Sequence, residues 1–245
     1  MTKKIAIITD IHANLEALTA VLKAIEPFRP DNIICLGDIV GYGSSVNECC
    51  ELIKKTCAAV LLGNHDAAIA GFYDYSAYAG PVRKVWDLHK KWISEENFEW
   101  LKSLKPAQMF QEIELSHGSP LHPEAYEYLF TPDDIIPLLK NFELRPFITF
   151  VGHSHLNKSF VLEHNRVQEQ SGFGFELLEN KKYIFSVGSV GQPRDFDNRS
   201  SFAIYETGEE TVVFYRVNYD IISTQKKILS TETPPIFAQR LAVGF

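Results

Sequence analysis

Residues 4–12 read KIAIITDIH, a short Ile-rich run that ends in an aspartate and a histidine two positions apart. The apolar run reads as a strand and the polar pair as the turn that follows it. From Asn14 the apolar residues Leu15, Leu18, Val21, Leu22 and Ile25 fall on one helical face. Asn14 suits the N-cap, and Pro27 and Pro30 stop the helix. The pattern then repeats. NIICLGD at 32–38 is a strand, 46–56 a helix and AAVLLGNHD at 58–66 a third strand. Strands this apolar suit a sheet covered on both faces, and their alternation with helices implies right-handed β-α-β units.

Working outward, residues from about 67 to 107 turn helical in pattern and hold Trp86, Trp92 and Trp100, with Phe72, Tyr73, Tyr75 and Tyr78. This stretch reads as a helical insertion at the sheet edge or over a site. Strands return in QEIELSHG (111–118), FITFVGHSH (147–155), KSFVLEH (158–164), FELLEN (175–180), KYIFSVGS (182–189), SFAIYET (201–207) and TVVFYRVNY (211–219). Short turns join many of them, so the second half reads as mostly antiparallel. The tail after Tyr219 is weakly patterned, and Pro234-Pro235 marks irregular chain. The expected fold is α/β, a four-layer α/β/β/α sandwich of two mixed sheets with outer helices, in a single domain over 1–245.

Composition narrows the function. At 245 residues and 45% hydrophobic the chain can bury a sizeable core. A net charge of -7 argues against nonspecific nucleic-acid binding. The N-terminal apolar run is too short for a signal peptide, and no segment approaches a membrane span. Cys35, Cys49, Cys50 and Cys57 cluster without CxxC spacing and read as free thiols. That fits a reducing, cytoplasmic setting.

Five segments share one form, an apolar strand followed by a tight turn with metal-ligating residue types. They are ITDIH (Asp10, His12), LGDIVG (Asp38), LGNHD (Asn64, His65, Asp66), LSHGS (His117) and VGHSH (His153, His155). Each alone is an ordinary turn. Together they place five of the eight histidines at strand ends, where sites gather in layered α/β folds. His89 and His164 lack such a setting and read as surface residues, and His122 stays open. Carboxylate and imidazole without cysteine suit hard or borderline divalent ions rather than a structural zinc knot. A pair of such ions roughly 3.5–4 Å apart can clamp attacking and leaving oxygens at phosphorus.

These motifs, in this order, resemble the calcineurin-like metallophosphoesterases, and VGSVGQPRD at 187–195 resembles their bacterial and archaeal phosphodiesterase-like branch. The resemblance implies a dinuclear centre. One ion would be held by Asp10, His12, Asp38 and His155, and the other by Asp38, Asn64, His117 and His153. Mn²⁺ or Fe are the leading ions, with Zn²⁺, Ni²⁺ and Co²⁺ as further options. It also implies His65 as the catalytic histidine and direct attack by a metal-bound hydroxide. Asp66 is read either as the carboxylate that orients His65 or as a turn stabiliser. Ser186-Val187 stands where relatives often carry Asn-Pro, which implies altered local geometry outside the ligand set.

Substrate contacts are less sharply marked. Arg194 is read either as a phosphate contact or as a salt-bridge partner of Asp195 or Asp197. Gly41-Tyr42-Gly43 could bring backbone and Tyr42 to a ligand, or be an ordinary turn. The tryptophans read as core, while Phe72, Tyr73, Tyr75 and Tyr78 are the better candidates to meet substrate. The expected substrate is a small phosphodiester or nucleotide phosphoanhydride. The alternatives are a phosphomonoesterase or protein phosphatase, and a non-catalytic scaffold. Oligomeric state is not specified.

Overall fold

In the computed structural model, which describes residues 3–76 and 79–245, alternation along the first strand serves two cores at once. Ile5 and Ile7 enter one buried cluster with Ile34, Leu36, Leu115, Phe150, Phe185 and Val187. Ala6 and Ile8 enter another with Leu18, Val21, Cys35 and Ile53. Each large aliphatic side chain buried this way contributes about 1.5–3 kcal/mol before entropy is counted.

Among the described residues the strands in chain order are β1 (Lys4–Ile8), β2 (Asn32–Cys35), β3 (Ala59–Val60), β4 (Ala107–Phe110), β5 (Ile113–Ser116), β6 (Ile148–Val151), β7 (Asn157–Glu163), β8 (Arg166–Gln170), β9 (Gly174–Glu176), β10 (Lys182–Val187), β11 (Ser200–Glu206) and β12 (Thr211–Val217). The helices are α1 (Leu15–Ile25), α2 (Val46–Thr56), α3 (Asn64–Ala70), α4 (Pro81–Trp92), α5 (Glu95–Ser103), α6 (Pro132–Ile135), α7 (Ile221–Leu229) and α8 (Ile236–Val243). One sheet runs β3-β2-β1-β11-β12-β9 and the other β4-β5-β6-β10-β7-β8. The first sheet's outer face carries α1 and α2. The second is covered by Ile135, Leu138 and Phe142 on Val151, Phe160, Leu162 and Ile184. The result is the expected layering of two mixed sheets between helices.

Several local expectations are corrected. The third strand stops at Val60 rather than Asp66, because Asn64, His65 and Asp66 form the first turn of α3. Helix therefore begins at Asn64 and ends at Ser103, and residues 107–110 pair as β4 with β5. The second half is mostly antiparallel, as expected, and the parallel run of β5, β6 and β10 is its exception. The tail is not irregular. Asp220 caps α7 by accepting the Ser223 N–H, and α7 packs against α8 through Ile228, Ala238 and Leu241. All four cysteines are free thiols. No helix among the described residues is long and apolar enough to cross a membrane.

Candidate metal centre

The parallel strands decide where the polar turns go. β1, β2 and β3 run together in one sheet, and β5, β6 and β10 in the other. Their carboxyl ends share one rim of the sandwich. Backbone bonds tie the turns across that rim: Asp10 N–H to Gly37 O at 3.0 Å, His12 N–H to Asp38 O at 2.9 Å, Gly152 N–H to His117 O at 3.0 Å and Gly191 N–H to Asp10 O at 2.9 Å. Asp10, His12, Asp38, His153 and His155 all sit at positive φ, between 50° and 65°. Left-handed backbone at a non-glycine residue costs about 1–3 kcal/mol and persists where the surroundings enforce it. Here it turns five side chains inward from the strand ends. Glycine is required at position 63, where an added Cβ would strike the Asp38 carboxylate.

Two groups of ligand atoms result. Asp10, His12, Asp38 and His155 form one, and Asp38, His117 and His153 the other, with atoms in each group within 4.8 Å of one another. Asp38 belongs to both, and every member is buried. The Asn64 Oδ1 is buried without a hydrogen-bond partner, as are Asp10 Oδ1 and His117 Nε2. Ring tautomers sharpen the point. His12 Nδ1 donates to Val40 O at 3.1 Å, His117 Nδ1 to Leu36 O at 2.7 Å, and His155 Nδ1 to Gln192 O. In its neutral form each ring then presents the Nε2 lone pair inward. The His12 and His155 Nε2 atoms face each other at 3.0 Å, and His117 Nε2 faces Asp38 Oδ2 at 3.4 Å. Lone pairs and carboxylates meeting in a buried space fit a bound cation, which would satisfy all of them.

The charges agree. Burial opposes ionisation of Asp10 and Asp38, yet the neighbouring imidazoles outweigh it, led by His155 for Asp10 and His117 for Asp38. Both carboxyls are held well below the usual carboxylate range. Burial also disfavours a charged His117, but Asp38 and Asp10 overcome it and push that imidazole up to about 9. With a raised value, protonated His117 stabilises the metal-free fold at low and neutral pH, and this is lost as pH rises through about 9. Loading the metal-free protein with Mn²⁺ at pH 7 is therefore expected to release about one proton. Affinity should rise with pH and level off above about 9. Calorimetric titration in buffers of different ionisation enthalpy reads the proton; a pH-independent affinity would contradict it.

The remaining polar residues sit beside the ligands. The His65 ring lies in neither group, and its backbone N–H bonds Asp38 Oδ1 at 2.8 Å. Its Nε2 meets the Tyr42 hydroxyl at 2.9 Å, and its Nδ1 accepts from Trp86 Nε1–H at 2.8 Å. Asp66 does not touch the His65 ring. Its carboxylate accepts the Ile39, Val40 and Gly63 N–H groups, knitting the Asp38 turn to the start of α3. The orienting bond expected of Asp66 is made by Trp86 instead, and of the two readings the turn stabiliser matches these contacts. Burial and the adjacent Asp38 charge nevertheless push the Asp66 carboxyl up to about 7. Arg194 makes neither expected salt bridge. Asp195 pairs with Arg216 and Asp197 with Arg199, while Arg194 donates to the Tyr42 hydroxyl at 3.0 Å and to Gln192 Oε1 at 3.3 Å. His89 is a correction too. It is fully buried, accepts the Gly41 N–H at 3.1 Å and donates to Gly43 O at 3.0 Å. His164 is exposed as expected, and His122 is exposed as well.

The calcineurin-like phosphoesterase family model matches residues 3–188. The chain belongs to this family. The chain is 40% identical over 247 residues to an uncharacterized protein of Methanocaldococcus jannaschii, covering 98% of each. It resembles the crystal structure of a metallophosphoesterase from Sphaerobacter thermophilus, with 33% identity, TM-score 0.84 and full coverage of both chains. A hypothetical protein from Pyrococcus horikoshii shares the fold at TM-score 0.78 and 19% identity, over 99% of this chain and 98% of that one.

Next to the ligand groups lies a cleft of about 290 Å³, bounded by Asn64, His65 and His153 and lined by Tyr42, Tyr73, Trp86, Tyr126 and Tyr128. Tyr128 stacks on His153 with ring centroids 3.9 Å apart, and Phe130 stacks on Tyr128 at 4.7 Å. Of the aromatics expected to meet substrate, Tyr73 lines this cleft. Phe72 lies on the surface, Tyr75 packs behind Trp86, and Tyr78 lies outside the described residues. Tyr126 and Tyr128 carry no motif and were missed, as was Trp86 as a contact of His65. A larger hollow of about 480 Å³ opens at the opposite strand ends, beside Lys3, Glu112, Phe147 and Glu210, far from the ligand cluster.

Proposed function

We propose that the protein is a hydrolase of phosphodiesters or nucleotide phosphoanhydrides that works with two divalent or transition metal ions. The observation that carries this reading is Asp38, shared between two groups of inward-facing ligand atoms. Asp10, His12, Asp38 and His155 would hold one ion, and Asp38, Asn64, His117 and His153 the other. Mn²⁺ or Fe suits the oxygen and imidazole donors. Such ions, when bound, polarise the phosphoryl group and acidify water.

The chain's own residues supply the rest. Burial pushes the Tyr42 phenol up to about 12, so it stays a neutral donor beside His65. Arg194 keeps a buried Nε without a partner, next to Tyr42 and Tyr128, where it can donate to a phosphoryl oxygen. Arg194 donates to Tyr42, one of the aromatic residues that line the cleft. Its aromatic walls suit a planar base on the leaving or retained side.

The test is hydrolysis of bis(4-nitrophenyl) phosphate, 4-nitrophenyl phosphate and a dinucleoside polyphosphate with Mn²⁺ or Fe²⁺. Diester or anhydride is expected to exceed monoester by at least about 10-fold in kcat/KM, a discrimination within reach of one pocket contact. A monoester preference would overturn the substrate assignment. No hydrolysis with any metal would overturn the enzyme itself.

A further inference from the structure

The buried face of α4 carries Val85, Trp86, Leu88 and His89. Trp86 and His89 are three positions apart, so they project from the same side of the helix. Both reach groups of the candidate site that bind no metal. The Trp86 indole N–H points at His65 Nδ1 over 2.8 Å. His89 brackets Tyr42, accepting the Gly41 N–H on one side and donating to the Gly43 carbonyl on the other. Tyr42 sits between them at φ 57°, a conformation its own side chain disfavours. The space is closed around this arrangement, since a Cβ at Gly41 would strike His65 Nδ1.

The chemistry of the two ends differs. An indole N–H is a donor only, so the atom it meets must accept. His65 Nδ1 therefore carries the lone pair, and the proton of the neutral ring sits on Nε2, facing Tyr42 and the cleft. The opposite tautomer would set N–H against N–H. A carboxylate at the same place would select that opposite tautomer and turn Nε2 into an acceptor.

We infer that α4 builds the non-ligating half of the site, with Trp86 fixing His65 as an Nε2–H donor and His89 holding the turn that brings the Tyr42 hydroxyl against it. Trp86 and His89 are positioning residues, since neither lies in a ligand group. The use of that donor in hydrolysis rests on the reading proposed above; the tautomer does not.

Zn²⁺-loaded full-length protein labelled with ¹⁵N-histidine tests this directly. The His65 spectrum should show a protonated Nε2 and an accepting Nδ1, with the Trp86 indole proton coupled to that Nδ1. In Trp86→Phe the ring stays apolar and the donor is gone. Mixed tautomers are expected, with kcat on the aryl diester down about 10–100-fold, KM within twofold and metal content unchanged. His89→Leu should lower kcat about 10-fold without altering the His65 tautomer, and His89→Gln, which can donate and accept, should recover most of that loss. Hydrolysis by a wild-type protein whose His65 carries its proton on Nδ1 would overturn the inference. So would a Trp86→Phe protein with the wild-type tautomer and rate. The Nε2–H tautomer in a protein that hydrolyses nothing would uphold it and count against the hydrolase reading instead.

Discussion

Asp38→Asn is expected to lower turnover of an aryl phosphodiester by about 10³-fold or more while leaving the protein folded. The direction follows from which oxygen the amide can replace. Asp38 Oδ1 accepts the His65 backbone N–H at 2.8 Å, so an asparagine must keep its carbonyl there. Its NH₂ then falls at the Oδ2 position, 3.7 Å from His12 Nε2 and 3.4 Å from His117 Nε2. Donors there can bond the imidazole lone pairs in a metal-free protein, which preserves the fold. The same donors stand where both ligand groups require a shared anion. Losing one charge from a buried, mutually compensating set costs about 3–5 kcal/mol, and 4 kcal/mol in a barrier is close to 10³-fold. Metal analysis should find loading below two ions per chain, and the proton released on loading should disappear with the carboxylate that raises His117. Two ions retained with kcat within tenfold of wild type would remove Asp38 from the role assigned to it.

Much of this was legible because it is local. A β-favouring run followed by a tight polar turn is readable in any one segment, and KIAIITDIH, NIICLGD and FITFVGHSH are such segments. That their turns meet needs only the parallel order of β1 with β2 and of β5 with β6. What failed to show was contact between distant elements. His89 looks like a helix surface residue because Lys90 and Lys91 follow it, yet it lies on the buried face with Trp86 and inserts under Gly41 and Gly43. Its signal was the three-residue spacing to Trp86, which marks a shared face. Asp66 next to His65 invites pairing by sequence proximity, but adjacent helical residues point apart, and the carboxylate turns back to cap amides. The tail helices α7 and α8 are short, so their faces read weakly alone; docking stabilises them, with Phe237 packed on Tyr42 at 4.8 Å.

His65→Ala is expected to reduce kcat by about 10²–10⁴-fold with metal content intact, the range for removing a positioned proton donor or acceptor. The two effects separate because the ring is in neither ligand group, while the backbone N–H that bonds Asp38 survives the substitution. Alanine is also at ease in the first turn of α3, so the ligand turn keeps its support. What is lost is the Nε2 group beside Tyr42 and the acceptor that satisfies the Trp86 indole. If that Nε2 stabilises charge on the departing oxygen, the defect must grow as the leaving group becomes more basic. A 4-nitrophenyl diester should suffer least and an alkyl diester most, with KM moving far less than kcat. A uniform loss across leaving groups would place His65 on the retained phosphoryl oxygens instead. A loss under tenfold on the alkyl ester would leave Arg194 and Tyr42 as the groups that carry the charge.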